Sequence, residues 1–331
     1  MINLLITGSS GYIASTFIYK LLSQYTNYQI IAIDKVLSIN KEKLLSKFKN
    51  KIKFYQLDLL NYQKLEEVFK ANEIDIVIHF AALTLVNESE NEPFTYLNNN
   101  LNSTINLLDL MIKYNVFNIV FSSSASVYGN AIYTPIDENH PLNPLSFYGL
   151  TKKISEEIII NYNRKGLNYI ILRYFNPAGV IDDLGEEHNP ETHLIPLLIK
   201  SIINKTTFKV YGNNYNTPDG TCIRDFIHIS DLVDAHILSL ESIINEDNLN
   251  EIFNVGINKG YSILQVIETA EKVLNQKVNY IIDNPRKGDV PILVAKSDKI
   301  ISKLKFSPKY DLSDIILDVF NYEKSKQIQK Y

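Results

Sequence analysis

The sequence has one cysteine, no tryptophan, no excess of charge of either sign and no long hydrophobic run. A single cysteine, Cys222, excludes an internal disulfide and a metal site built from cysteines, and we expect it in the apolar core. The net charge of −4 and the pI of about 5.9 lack the basic excess typical of nucleic-acid binding. The longest apolar stretch, residues 74–86, contains Asp75 and His79 and is too short to cross a bilayer.

A targeting signal is also missing, because the first apolar run starts at Ile2 and leaves no room for a charged leader. We therefore expect a cytoplasmic protein that binds neither membrane nor nucleic acid. The 331 residues, 45% hydrophobic and 21% charged, are ordinary for a globular chain. This length suits a nucleotide-binding domain with a smaller partner, and the composition excludes disorder of the whole chain.

Strand and helix patterns alternate in the N-terminal half of the chain and become less regular from about residue 175. Apolar runs predict strands at residues 2–7, 29–33, 53–57, 74–80, 118–122 and 169–173. Helical spacing predicts helices at 12–24, 41–49, 61–70, 93–113, 149–163, 194–204, 231–242, 262–275 and 313–327. This order predicts an α/β fold, a Rossmann-type doubly wound parallel sheet with a smaller C-terminal α/β lobe. We place the domains at 1–175 and 176–331, with some later segments returning to the first.

A glycine loop followed by an acidic strand end predicts that the first domain binds NAD. Gly8 permits a tight turn after the first strand, Gly11 allows a pyrophosphate close to the backbone, and the next helix offers free N–H groups. Asp34 can bind both hydroxyls of a ribose and repels a 2′-phosphate, although neighbouring Lys35 weakens this preference for NAD over NADP. Asp58 can accept from the adenine amino group. The alternative is a structural glycine turn with unrelated carboxylates.

Tyr148 and Lys152 form a candidate catalytic pair. A spacing of four on a helix places both side chains on one face, and Ser124 ends a strand upstream. A phenol with a pKa near 10 is a poor base, but an ammonium about 4 Å away contributes on the order of 4 kcal/mol, enough for about three pKa units. We therefore expect Lys152, helped by an oxidised nicotinamide, to make Tyr148 a base, with Ser124 holding the substrate oxygen. The alternative is an accidental pair in a chain rich in tyrosine and lysine.

The chain resembles the extended short-chain dehydrogenase/reductase family, most closely its UDP-hexose 4-epimerases. The resemblance runs from residue 2 to about residue 322. Its motifs lie at residues 7–13, 77–82, 121–129, 148–152, 172–177, 193–196, 211–215, 219–228 and 285–289. Motifs in the second lobe are more specific than the glycine loop, because they distinguish sugar-nucleotide epimerases from other members.

This resemblance implies an isomerase that inverts C4 of UDP-glucose or UDP-galactose through a transient 4-keto sugar, with tightly held NAD. It implies a homodimer formed by the helices at 93–113 and 149–163. The residues that it places at NAD are Gly8, Gly11, Tyr12, Ile13, Asp34, Lys35, Asp58, Leu59, Phe80, Ala81, Ala82, Thr84, Asn99, Ser122, Tyr148, Lys152 and Phe175. Those that it places at the UDP-sugar are Ser124, Tyr148, Asn176, His193, Leu194, Lys209, Val210, Tyr211, Arg224, Arg286, Asp289 and Leu293.

The chemistry of several substrate residues agrees with these roles. Arg224 and Arg286 offer planar forks for diphosphate oxygens, Tyr211 can stack on uracil, and Asp289 can accept from ribose hydroxyls. Without the resemblance, an ion pair between Arg224 and Asp225 or a nearby acid is as good an interpretation.

Three positions depart from the family pattern. Ala14 stands where the third glycine is expected, and Thr84 replaces a lysine that often approaches the cofactor phosphates. Leu293 stands where some members place a tyrosine beside the sugar. Since leucine is smaller and apolar, we expect that UDP-GlcNAc and UDP-GalNAc are also accepted.

Two other functions remain open. A sugar-nucleotide 4,6-dehydratase needs an acid near the catalytic serine, and residues 123–126 contain none. A non-catalytic NAD-sensing module can lose the tyrosine or the lysine, whereas this chain keeps both.

The remaining histidines are expected to be structural. His228, Asp231 and Asp234 suggest metal ligands at first sight, but Ser230 is better interpreted as a helix N-cap, so no metal is expected. His79 lies in a buried strand and is expected to be a core residue.

Overall fold

The computed structural model describes residues 1–36, 38–187, 191–246, 249–286 and 288–328. Lys287 of the motif at 285–289 lies outside these described residues. The strands are β1 (Ile2–Thr7), β2 (Tyr28–Asp34), β3 (Ile52–Gln56), β4 (Ile76–His79), β5 (Asn118–Ser124), β6 (Asn168–Tyr174), β7 (Asn176–Ala178), β8 (Phe208–Tyr211), β9 (Ile223–His228), β10 (Asn250–Val255), β11 (Gly260–Ser262), β12 (Tyr280–Asp283) and β13 (Ile292–Leu293).

Helices alternate with the strands. They are α1 (Tyr12–Gln24), α2 (Ile39–Phe48), α3 (Tyr62–Ala71), α4 (Val86–Asn91), α5 (Pro93–Lys113), α6 (Phe147–Tyr162), α7 (Leu194–Asn204), α8 (Ile229–Asn245), α9 (Ile263–Leu274), α10 (Asp298–Leu304) and α11 (Leu312–Ile328). None of the helices described here combines the length and apolar composition needed to cross a membrane. The cytoplasmic location stays a prediction.

The chain divides into two compact units. The first comprises Met1–Gly129, Pro141–Arg173 and Ala235–Phe253, and the second comprises Asn130–His140, Tyr174–Asp234 and Asn254–Tyr331. The main division therefore lies beside residue 175, with one later segment returning to the first unit and one earlier segment belonging to the second.

The first unit is built on a seven-stranded sheet with the order β10-β6-β5-β4-β1-β2-β3. The pairs that join β3, β2, β1, β4 and β5 are all parallel. Strands buried on both faces need continuous apolar runs, and Leu4, Leu5 and Ile6 of β1 are indeed fully buried. This architecture confirms the predicted Rossmann-type fold. Chain order reverses between β1 and β4, and such sheets bind ligands outside the carboxyl ends of the strands at this point.

The second unit holds smaller sheets and its own core. One sheet has the order β11-β9-β13, with β7 paired to β9, and the other joins β12 to β8. Helices α7, α9 and α11 contribute fully buried side chains to one apolar cluster, among them Leu198, Val266 and Ile316. Cys222 belongs to this cluster, which confirms its predicted place in the core.

Candidate active site

The glycine loop after β1 has the backbone geometry that its sequence predicts. Gly8 has a positive φ of 66°, and a Cβ atom there would lie 2.8 Å from the backbone of Ala81. Gly11 caps α1 without any side-chain hydrogen bond, so the first N–H groups of α1 remain available to an anion. Among the described residues, the Ser9 and Ser10 hydroxyl oxygens are buried without a hydrogen-bond partner. A dinucleotide phosphate would satisfy such groups, so this loop fits NAD.

Asp34 lies at the end of β2, beside the loop. Its Oδ2 accepts the Ser10 N–H at 2.9 Å, and its Oδ1 accepts the Val36 N–H at 2.9 Å. Burial raises the pKa of the Asp34 carboxyl, while these backbone hydrogen bonds act in the opposite direction. The carboxylate is thus held by backbone at the strand end, where an adenosine ribose is expected.

The other residues predicted at NAD in the first unit follow strand ends or line the helices beside them. Asp58 Oδ1 accepts the Leu60 N–H at 2.9 Å, so part of this carboxylate stabilises its own turn. Lys35 Nζ donates to Asn99 Oδ1 at 3.2 Å, which joins two of the predicted residues. Phe80 and Ala81 follow β4, and Thr84 is exposed farther along the same loop.

Tyr148, Lys152 and Ser124 come together through the start of α6. The Ser146 hydroxyl accepts the Gly149 N–H at 3.0 Å and so caps the helix one residue before its first turn. A Cβ at Gly149 would lie 2.5 Å from the Ser126 carbonyl oxygen, so only glycine allows α6 to approach the segment after β5 this closely. Tyr148 is buried and hydrogen-bonded to Ser124.

Lys152 by itself does not lower the pKa of Tyr148 in this structure, and the effect expected together with an oxidised nicotinamide stays a prediction. Burial raises the pKa of Tyr148 to about 12, with only the Ser124 hydrogen bond acting downwards. Lys152 Nζ lies 6.0 Å from the centre of the Tyr148 ring and donates to the Ser122 carbonyl at 2.7 Å. Burial also lowers the pKa of Lys152 to about 7. Burial disfavours the charged form of both side chains, so Lys152 alone does not make Tyr148 a base at neutral pH.

Sequence reasoning missed a buried polar network below this pair. Glu156 is 1% exposed and receives hydrogen bonds from Ser123 and from Arg173, which also bonds the Tyr128 hydroxyl. Its spacing of four from Lys152, which places both side chains on one helix face, is a signal that the sequence contains. Asn100, also missed, joins α5 to Leu83 and donates to Thr151 Oγ1 at 3.0 Å.

In the second unit, the basic residues predicted at the UDP-sugar already have partners. Arg224 Nη1 donates to the Val290 carbonyl at 2.7 Å, and its nearest acid is Asp289 at 3.8 Å, itself a predicted site residue. The Arg286 guanidinium lies 3.8 Å from the centre of the Tyr211 ring, so these two predicted residues stack on each other. Of the alternative ion pairs of Arg224, the one with Asp225 is not formed, because Asp225 accepts backbone N–H groups instead, whereas the nearby acid Asp289 lies within ion-pair distance.

The remaining predicted residues of this unit lie on or beside its two small sheets. Leu293 of β13 is in register with Arg224 of β9. Lys209 of β8 pairs with Asp283 of β12 at 2.9 Å, beside buried Val210. Asn176 Nδ2 donates to the Asp225 carbonyl at 3.0 Å. Phe175, predicted at NAD, belongs to this unit and is buried.

His193, at the start of α7 before Leu194, forms ion pairs that the sequence did not suggest. Its Nδ1 lies 3.0 Å from carboxylate oxygens of both Glu186 and Glu191. Burial alone would lower the pKa of His193, but these two carboxylates raise it to about 10. The three residues also have the spacing of metal ligands, the sole such group among the described residues. The acids precede His193 by two and seven residues, a spacing that gave no sign of these contacts in the sequence.

The predictions for His79 and for the helix cap at Ser230 have different outcomes. His79 is buried between Thr7 Oγ1 at 2.7 Å and Thr104 Oγ1 at 3.1 Å, which confirms it as a core residue. Burial, with the charge of Lys152, lowers its pKa to about 3. The predicted N-cap at Ser230 is wrong, because α8 already begins at Ile229 and the Ser230 N–H donates to His228 Nδ1 at 3.0 Å.

Comparisons with known proteins show which family and which solved structures the chain is similar to. The model of the NAD dependent epimerase/dehydratase family matches residues 4–256. The UDP-glucose 4-epimerase of Lactobacillus helveticus is 38% identical over 326 residues, covering 97% of this chain and 97% of that protein. The crystal structure of the Bifidobacterium longum UDP-glucose 4-epimerase in complex with NAD+ and UDP has a TM-score of 0.92 and 33% identity, covering 98% and 99%. The UDP-Glc/GlcNAc 4-epimerase of Campylobacter jejuni has a TM-score of 0.83 and 33% identity, covering 98% and 100%.

Proposed function

The chain belongs to the NAD dependent epimerase/dehydratase family, and from this premise we propose how its residues carry out the reaction of its relatives. That reaction is the NAD-dependent inversion of C4 in UDP-hexoses, so the protein is an isomerase. The observation that carries the proposal is the buried Tyr148–Lys152 pair at the carboxyl end of a sheet whose glycine loop fits a dinucleotide. A 4,6-dehydratase is not favoured.

Bound NAD supplies the hydride acceptor and donor for the reaction. The loop at Gly8 and the first N–H groups of α1 bind its diphosphate, and Asp34 holds the adenosine ribose. Because the sugar undergoes no net oxidation, these contacts hold one cofactor through many turnovers. When bound, the oxidised nicotinamide would add a positive charge to that of Lys152, and the two charges together would lower the pKa of Tyr148 from its raised value.

Tyr148 then removes the proton from the C4 hydroxyl of the sugar and later returns it. Ser124, hydrogen-bonded to Tyr148, holds the same C4 oxygen, so the proton moves along a short, fixed path. Lys152, fixed by the Ser122 carbonyl, keeps its ammonium beside the phenolate while the sugar exists as a 4-keto intermediate.

The second unit holds the UDP part of the substrate. Arg224 and Arg286 bind the diphosphate, and the stack on Tyr211 fixes the plane of the Arg286 guanidinium before substrate arrives. Asp289 accepts from ribose hydroxyls. Because the UDP part is held firmly and the sugar has few contacts, the 4-keto ring can rotate in the site and present its opposite face to the hydride donor.

The test is to give purified protein UDP-galactose without added cofactor and to identify the sugars formed. We expect UDP-glucose from wild type and nearly complete loss of turnover in Tyr148→Phe, with bound NAD retained. Tyr162→Phe, at the other end of α6, is the matched control and should keep activity. Full turnover by Tyr148→Phe would contradict the assigned role.

We further propose that N-acetylated substrates are accepted. Leu293 is only partly buried and offers less bulk beside the sugar than tyrosine would. The similar C. jejuni protein is named for both UDP-Glc and UDP-GlcNAc. Incubation with UDP-GalNAc should yield UDP-GlcNAc, and good turnover of UDP-galactose with none of UDP-GalNAc would contradict this.

A homodimer through α5 and α6 is part of the same proposal. On the face of α5 directed away from the core of the first unit, Phe94, Leu101, Ile105 and Ile112 recur at helical spacing. Phe94 is 79% exposed and Ile105 38% exposed, although both are apolar. An apolar stripe of this kind is typical of a helix that packs against a partner.

A further inference from the structure

A buried ion pair lies one helical turn beyond Lys152. Glu156 follows Lys152 by four residues on α6, so both side chains share a helix face. Arg173 of β6 donates Nη2 to Glu156 Oε2 at 2.6 Å and Nε to Oε1 at 3.0 Å. The Glu156 and Arg173 side chains are only 1% and 4% exposed. Such a pair is unfavourable in a dry interior unless other hydrogen bonds complete it.

Those other hydrogen bonds connect the pair to the catalytic strand end. The Ser123 hydroxyl donates to Glu156 Oε1, and Arg173 Nη1 donates to the Tyr128 hydroxyl at 3.0 Å. Ser123 stands between Ser122, whose carbonyl accepts from Lys152, and Ser124, which is bonded to Tyr148. Glu156 therefore fixes the end of β5, the segment to which Lys152 and Tyr148 are both hydrogen-bonded.

Glu156 supplies the negative charge that acts on Lys152, because the other groups around Lys152 are neutral. His79 of β4 faces Lys152 but is neutral, and the Phe121 ring of β5 lies 5.0 Å from Nζ. Tyr148, on the same helix, is protonated at neutral pH in this structure. Among the described residues, Glu156 is the anion that acts on Lys152, and it raises a pKa that burial lowers.

We propose that Glu156 is a positioning residue for the reaction: it anchors the end of β5 through Ser123 and retains the positive charge of Lys152, while Arg173 holds the Glu156 carboxylate in place. The catalytic part of this inference rests on the proposed function. Its central claim, control of the charge on Lys152, is measurable without turnover.

The direction of the effect follows from the charges that remain. Glu156→Gln keeps the side-chain shape but leaves the Lys152 and Arg173 cations without the anion. Arginine does not lose its proton in proteins, so Lys152 gives up its proton at lower pH. We expect its pKa to fall from about 7 by about one unit or more, which is about a tenfold loss of charged lysine above that pH.

The decisive measurement is an NMR titration of the NAD-loaded protein with ¹⁵N-labelled lysine side chains. The resonance absent from Lys152→Met identifies Lys152. Glu156→Gln should lower its titration midpoint, whereas Glu157→Gln, a 58% exposed neighbour on the same helix, should leave it unchanged. An unchanged midpoint in folded Glu156→Gln overturns the proposal.

Steady-state kinetics then separate this inference from the proposed function. In Glu156→Gln, kcat for UDP-galactose should fall about tenfold, with the alkaline limb of the pH profile moved to lower pH and KM little changed. A purely structural role would lower kcat without moving that limb. Wild-type protein without any turnover would reject the proposed function but leave the titration result valid.

A double variant covers the case in which Glu156→Gln does not fold. Glu156→Gln/Arg173→Met removes both members of the pair, which is tolerated better than an unpaired buried charge. Its Lys152 midpoint should lie below that of wild type, since the anion is missing, and above that of folded Glu156→Gln, since the Arg173 cation is missing too. A double variant with a midpoint at or above the wild-type value contradicts the role of Glu156.

Discussion

At the scale of single residues, Gly8 shows how one backbone angle decides whether a loop can bind an anion. Its φ of 66° is rare for residues with a side chain, and a Cβ would approach the Ala81 backbone to 2.8 Å. The left-handed conformation is required for the turn, and the missing side chain leaves the backbone open to the cofactor.

Gly8→Ala should therefore lose most bound NAD as well as stability. The left-handed conformation alone costs about 1–2 kcal/mol, and the clash with Ala81 adds to it. Gly166→Ala is the control, because Gly166 also has a positive φ of 90° but has no atom within 3.7 Å of the added methyl. The measurements are chemical denaturation and the NAD content of purified protein, and equal NAD content in both variants would disprove the argument.

His193 is a residue whose charge depends on two acids. Its folded-state pKa of about 10 is raised above the ordinary value of 6.5, so its contribution to stability is complete below about pH 6.5 and disappears as the pH rises through 10. The difference in melting temperature between wild type and His193→Gln should thus be larger at pH 7 than at pH 10.5. A difference that is the same at both pH values would show that the ring acts by packing rather than by charge.

At the scale of elements, helix caps connect stability to catalysis. Ser146 caps α6 two residues before Tyr148, and Asn61 caps α3 through the Lys64 N–H at 3.1 Å. Both caps satisfy a free N–H of the first turn, but only α6 carries predicted catalytic residues.

Ser146→Ala and Asn61→Ala should each lower the free energy of unfolding by about 1 kcal/mol. Only Ser146→Ala should also lower kcat, because fraying of the first turn of α6 moves Tyr148 relative to Ser124. Urea denaturation and turnover of UDP-galactose measure the two effects. A kcat loss of the same size in Asn61→Ala would indicate a general effect of stability.

The long helices were predictable from the sequence, whereas the strands that follow residue 175, including the six-residue β9 and β10, were not. The helices predicted at 12–24, 93–113 and 194–204 are confirmed with the same bounds, because their apolar spacing spans three turns or more. Strands β7, β11 and β13 have two or three residues and no period to detect. The cap at Ser230 was wrong because the His228 ring, rather than a serine hydroxyl, accepts the N–H group.

The site shows the same limit. Gly8, Asp34 and Tyr148 stand at the ends of periodic elements, so their places followed from the sequence pattern. The pair of Glu156 with Arg173 and the contact of Glu186 with His193 depend on how distant segments pack. Local patterns contain no information on such contacts. The burial that raises the pKa of Tyr148 was likewise not visible in the sequence, and the base strength expected with bound nicotinamide stays a prediction.

At the scale of the whole molecule, the two units exchange segments of chain. Residues 130–140 belong to the second unit, where Ile136 pairs with Ala295 and the Glu138 carboxylate accepts the Asn254 N–H at 2.8 Å. These partners lie more than a hundred residues away in sequence, so a boundary placed by composition alone had no means of detecting the exchange.

Assembly is the second property at this scale. Ile105→Arg places a charge in the apolar stripe of α5 and should convert the proposed dimer into a monomer, with the fold preserved. Ile132→Arg, at a 75% exposed position in the second unit, is the control and should leave the oligomeric state unchanged. Light scattering after size-exclusion chromatography measures the mass, and a wild-type monomer would reject the dimer.

The position of β10 beside β6 has a consequence for biosynthesis. While the ribosome adds the chain between these strands, at 5–20 residues per second, the nascent β6 lacks its outer neighbour for about 4–15 s. An uncovered strand edge of this kind is a template for pairing with other polypeptides. During that interval a chaperone, or rapid pairing of the β6 edge with β10 once β10 is made, is needed to prevent such pairing. Slower translation over residues 175–250 lengthens the interval and should increase aggregation.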